Sequence, residues 1–261
     1  MIQNKTFMFK VIRIFILLFV LAFVVLGAWR TKTHVVEWAY TLPVNIYLIN
    51  GDGSTVTADY LHGLKAEDFK PIAAFMREEA MRYGRSDRAS IEIRFGGTID
   101  TQPPGPPRHG STLEVIAWSL RMRWWAYHSV DTVGPGPQVK MFLLYFDPAQ
   151  STRLAHSTGL QKGLLGRVNV FASHDMTKQN NVIIAHEFLH TLGATDKYDP
   201  ATNQPIFPDG YAHLDLKPLL PQRYAEIMAG RTPLSQTEAV TPASLDDVLI
   251  GNKTAQEINW L

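Results

Sequence analysis

Residues Lys178 to Asp199 read KQNNVIIAHEFLHTLGATDKYD. Lys178 to Ala194 reads as a helix, with Thr177 or Asn180 available to cap its start and Gly193 where a helix ends. His186 and His190, four apart, then share one face, one turn from each other. Zinc takes imidazole nitrogens at about 2.0–2.1 Å, and two side chains alone hold it poorly. Glu187 lies beside both and can reach a metal-held water without being a ligand. The spacing is H-E-x-x-H.

A third ligand requires the chain to turn back after His190. Gly193 adopts positive φ at little cost, so it can end the helix there. Asp196, three residues beyond, then approaches from the side, and a carboxylate oxygen binds zinc at about 2.0–2.2 Å. H-E-x-x-H arises by chance about once in a hundred chains of this composition. Requiring Gly and then Asp or His at these offsets lowers that to roughly one in ten thousand. The pattern therefore outweighs a plain helix with two surface histidines. Asp199, His213 and Glu226 are alternatives for the third ligand, although Glu226 lacks the E-x-x-x-D pattern of glutamate-type zinc enzymes.

H-E-x-x-H-x-x-G-x-x-D resembles the long zinc motif of the metzincin metallopeptidases, a minority of which, such as the snapalysins, use Asp as third ligand. That family has a methionine turn beneath the metal, and EIMAG (Glu226 to Gly230) offers Met228 at a suitable distance. The resemblance covers about 45 residues, His186 to Gly230. It implies one catalytic Zn2+ held by His186, His190 and Asp196, supported by Gly193 and Met228, with Glu187 as general base. It also implies a peptide or protein substrate lying along a sheet edge between about Leu154 and Phe171, with its side-chain pocket built after Ala194. Two departures stand out. Some metzincins place a tyrosine two residues after the methionine; here that residue is Gly230, so the role is unfilled or taken by Tyr198, Tyr211 or Tyr224. Latency through a pro-segment cysteine is excluded, because the chain has no cysteine.

Outward from the motif, strands and helices alternate. NIYLIN (Asn45 to Asn50), ASIEIRFGG (Ala89 to Gly97), VKMFLLYFD (Val139 to Asp147) and GRVNVFAS (Gly166 to Ser173) read as strands. VKMFLLYFD is nearly continuous apolar sequence, as for a strand buried on both faces. Ala66 to Gly84 and Thr112 to about His128 read as helices, the first admitting Pro71 only in its first turn. TAQE (Thr254 to Glu257) reads as a capping box for a short last helix. The expectation is an α/β, zincin-like fold. A mixed, mostly parallel sheet with helices forms an N-terminal lobe (44–194) that includes the active-site helix. A smaller irregular C-terminal lobe (195–261) follows.

The first 29 residues differ in kind. Lys5, Lys10 and Arg13 precede Ile14 to Trp29, an uncharged apolar run. Counted from Val11 with Arg13 snorkelling, it is about 28 Å of helix, close to the ~30 Å hydrocarbon core. We expect a cytoplasmic tail at 1–10, a transmembrane signal-anchor at 11–29 and a linker at 30–43. The positive N-terminal flank places the remainder outside the cytoplasm, periplasmic or extracellular; cleavage of the segment would make the protein secreted.

The 25 basic and 24 acidic residues leave a net charge of +1, and no basic patch points to nucleic acid. Without cysteine there is no disulfide, zinc knuckle or thiol nucleophile. The reading is a membrane-anchored zinc endopeptidase. A zinc amidase acting on cell-wall peptides and a catalytically inactive zinc-binding module are the alternatives.

Overall fold

The computed structural model describes residues 13–15, 18–19, 38, 40–85, 90–107, 111–130 and 138–261. The tail and nearly all of the anchor lie outside the described residues; 13–15 and 18–19 are helical. Among the described residues no helix is long and apolar enough to cross a membrane.

The scaffold is an α/β unit on a five-stranded sheet. Its strands are β1 (Leu42–Asn50), β2 (Ile91–Thr98), β3 (Val139–Phe146), β4 (Thr158–Leu160) and β5 (Leu165–Phe171), in spatial order β2-β1-β3-β5-β4. All neighbours pair in parallel except β4, which runs antiparallel along β5 at the sheet's edge. The mixed, mostly parallel sheet is the one expected. β1 and β3 are central and covered on both sides, so they need apolar residues at consecutive positions. In β3, Met141, Leu143 and Tyr145 face one cluster while Phe142 and Leu144 face the other.

The helices divide between these faces. α1 (Thr55–Gly63), α2 (Lys70–Arg82) and α4 (Thr177–Leu192) pack on the first face, in the larger core with Ile46, Leu48 and Met141. On the other face, α3 (Thr112–Ser129) buries Trp118, Met122 and Ala126 against Tyr47, Ile49 and Phe142. Folding starts earlier than residue 44, since Trp38 is buried and β1 begins at Leu42. α1 has no counterpart in the sequence reading. Ser54 caps it, accepting from Thr57 N at 3.1 Å.

After Leu192 regular structure is sparse: the two-residue strands β6 (Ala225–Glu226), β7 (Thr232–Pro233), β8 (Ala239–Val240) and β9 (Val248–Leu249), short 3-10 turns and α5 (Asn252–Glu257). The capping box expected at Thr254 is not one. α5 starts after Gly251, and the Thr254 hydroxyl, inside the helix, donates to Glu226 Oε1 at 2.7 Å.

Candidate metal centre

α4 carries the motif on a helix fixed along its length. Neither Asn180 nor Thr177 caps it; the cap residue is Met176. The Asn180 amide instead pins the helix to β5, donating to Phe171 O at 2.8 Å and accepting from Phe171 N at 3.3 Å. Asn181 donates to Asp68 O at 2.9 Å. Phe188, Leu189 and Leu192 are fully buried, so the helix cannot rotate without exposing core.

His186 and His190 turn their Nε2 atoms toward each other, 3.1 Å apart. Each Nδ1 faces a carbonyl oxygen, Ile227 O at 2.9 Å for His186 and Ala194 O at 2.8 Å for His190. A carbonyl only accepts, so each Nδ1 carries hydrogen and each Nε2 of the neutral ring presents a lone pair. Gly193, with φ of +110°, ends α4; a side chain there would strike the Gln161 amide. The chain then returns, and Asp196 Oδ1 arrives 3.2 Å from His186 Nε2 and 3.1 Å from His190 Nε2.

Three lone-pair donors thus form a triangle with sides of 3.1–3.2 Å. Such a cluster holds together only around positive charge, supplied by a proton or a metal cation. For a tetrahedral zinc with ~2.0–2.1 Å bonds, ligand atoms stand about 3.3–3.4 Å apart. Two imidazoles and a carboxylate also suit zinc chemically. Without metal the proton goes to His186. Burial opposes its charge, but Asp196, Glu187 and the Ile227 carbonyl outweigh that and push it up to about 9. Burial likewise disfavours the Asp196 carboxylate, yet the two histidines against it, His186 carrying the proton, hold it well below the usual range.

Glu187 completes a His-Glu-His cluster able to hold a metal: one donor atom from each of His186, Glu187 and His190 lies within 4.8 Å of the others. Its Oε2 is buried without a hydrogen-bond partner. Burial raises its proton affinity, partly offset by the two histidines. An unpaired buried carboxylate oxygen beside this triangle is costly unless something polar comes to it.

The Asp196 loop is latched on both sides. Lys197 N donates to Met228 O at 2.9 Å, and Ile206 N donates to Lys197 O at 2.8 Å. The Lys197 ammonium is buried, 2.6 Å from Glu257 Oε2 and 2.6 Å from Thr195 O. Met228 is fully buried in a 3-10 turn (Ile227–Ala229), the turn whose Ile227 carbonyl orients His186. Burial first, then the Asp196 and Glu187 charges, raise the Tyr198 phenol.

The alternative ligands have other partners. Asp199 Oδ1 accepts from Ala201 N at 2.8 Å. The His213 ring packs edge-on against Tyr224. Glu226 accepts from Ala229 N, Gly251 N and Thr254 Oγ1. The Lys197–Glu257 latch and the Asn180 clamp had no local sequence signal, because each joins residues by tertiary contact alone. Searches against protein-family models and curated proteins returned no match for this chain.

Proposed function

We propose that the chain is a zinc-dependent peptide hydrolase of metzincin-like design, tethered to a membrane by Ile14–Trp29 with its catalytic domain outside the cytoplasm. One observation carries this reading: His186 Nε2, His190 Nε2 and Asp196 Oδ1 converge at 3.1–3.2 Å beside the unpartnered Glu187 Oε2.

His186, His190 and Asp196 would hold the ion, leaving Glu187 free. When bound, zinc supplies Lewis acidity to a substrate carbonyl and to water. Glu187 accepts a proton from the attacking water and delivers it to the departing amine. Burial prepares it for both steps by making its carboxylate a better base than an exposed one. Tyr198, whose phenol feels the Asp196 and Glu187 charges, would support the reacting carbonyl.

Substrate binding follows from the sheet's edge. β4 pairs only with β5 among the described strands, and Gly159 packs against α4 at His190 Cβ and Glu187 O. An extended peptide added to β4 by backbone hydrogen bonds would therefore lie beside Glu187. The segment after Ala194 also lines a cavity of about 440 Å³, with Asp199, Gln204, Ile206 and Thr237, that would take a substrate side chain.

The test is cleavage of a mixed peptide library by the zinc-loaded chain, with Glu187→Gln as control. We expect endoproteolytic cleavage by the wild type, abolished in the variant while zinc is retained. Zinc without any cleavage would replace this reading with a binding module. Cleavage confined to cell-wall peptides would replace it with an amidase.

A further inference from the structure

α3 is apolar on two opposite sides. At about 100° per residue, Trp118, Met122 and Ala126 fall on one arc, which packs on the sheet. Leu113, Ile116, Leu120, Trp124 and Tyr127 fall within another arc about 100° wide, directly opposite. All five are more than half exposed, Trp124 at 66% and Tyr127 at 76%. A contiguous apolar stripe of this size on a surface helix marks a binding face. It is a convex ridge, and His128 packs between the Trp124 and Tyr127 rings, at 4.3 and 5.2 Å.

We propose that α3 lays this stripe in the interface of a lipid bilayer. Three features select lipid as the occupant. The first is charge: Arg121 is exposed beside the stripe, whereas the helix's one acid, Glu114, is engaged at the N-terminus in a capping box with Ser111. A basic flank beside an aliphatic and aromatic face suits a helix that lies in the plane of an anionic membrane. The second is the pair Trp124 and Tyr127, whose amphipathic rings favour the headgroup boundary. The third is reach. Trp38 is the fixed start of the domain, its indole N–H donating to Ile258 O at 2.7 Å. Only residues 30–37 separate it from the apolar run ending at Trp29, a span of at most roughly 29 Å. A domain so tethered stays at the bilayer, where a helix face too weak to bind alone is held at high effective concentration.

This inference shares the membrane-anchor reading of Ile14–Trp29 but is independent of the hydrolase reading. α3 covers the opposite face of the sheet from α4. Lipid contact through α3 therefore leaves the metal centre facing away from the membrane, open to polymeric substrates.

The chain's lack of cysteine gives a direct test. Leu120→Cys in the full chain is labelled with an environment-sensitive fluorophore and reconstituted into phosphatidylcholine–phosphatidylglycerol vesicles with brominated acyl chains. Asp246→Cys, exposed and on the other face, is the control. We expect the label at 120 to shift to the blue and lose roughly half or more of its emission, as for a residue buried ~5–10 Å at the acyl boundary. The label at 246 should not change. If the chain floats with the vesicles but the label at 120 is unquenched, the anchor stands and the α3 contact is overturned. If the blue shift appears in detergent without lipid and grows with protein concentration, the face binds a second copy and the lipid proposal is overturned. A chain that fails to float overturns both.

Discussion

The two sides of Gly193 are built on different principles. Before it, apolar burial in regular elements fixes the chain: β1, β3 and α4 contribute side chains with essentially no exposure, such as Ile46, Phe142 and Leu189. After it, buried polar side chains stand in for missing secondary structure. Glu226, fully buried, collects Ala229 N, Gly251 N and the Thr254 hydroxyl. The Gln222 amide ties His213 to Leu219. Lys197 joins its loop to α5 through Glu257. The candidate metal centre straddles this divide, taking two imidazoles from the packed side and one carboxylate from the latched side. Damage on the first side should unfold the protein; damage on the second should loosen the site first.

The largest contrast comes from the sheet. Phe142, stacked on Tyr47 and edge-on to Trp125, has no exposure. Phe142→Ala should cost about 3–5 kcal/mol, read as a drop in denaturation midpoint with or without metal. Asp196→Ala should weaken zinc binding on the order of 100-fold, about 2.7 kcal/mol by competition titration. Asp199→Ala should change it little; the reverse outcome would assign the ligand to Asp199. Thr254→Val leaves Glu226 one bond short and should cost about 1–3 kcal/mol of stability. Lys197→Met should weaken zinc binding about 10-fold while moving stability less than Phe142→Ala. Equal losses of stability from these two would erase the distinction between the sides.

A separate contrast is in pH. In metal-free protein His186 is raised from 6.5 to about 9, so its protonation favours the folded state. That contribution is complete below pH 6.5 and fades as pH rises toward about 9. Thermal midpoints of the metal-stripped chain should fall across that window, and zinc, by replacing the proton, should flatten the fall.

Legibility follows the same divide. β3 could be read from VKMFLLYF because a doubly covered strand must be apolar throughout. His186 and His190 could be read because helical spacing alone puts them together. Gly193 was readable from its place after the helix, and Asp196 from its offset. The caps were misread where tertiary bonds competed with local ones: Asn180 bonds β5, and Thr254 bonds Glu226. α1 escaped notice because β-branched Thr55, Val56 and Thr57 mask a helix set by Ser54. The Lys197–Glu257 latch links residues sixty apart and no local pattern announces it.

Zinc K-edge X-ray absorption of the metal-loaded full chain tests the central claim most directly. The account predicts one zinc per chain with two imidazoles and oxygen ligands at about 2.0–2.2 Å, one oxygen being lost or replaced in Asp196→Ala. Failure to take up zinc, three imidazoles in the shell, or an unchanged shell in Asp196→Ala would contradict it.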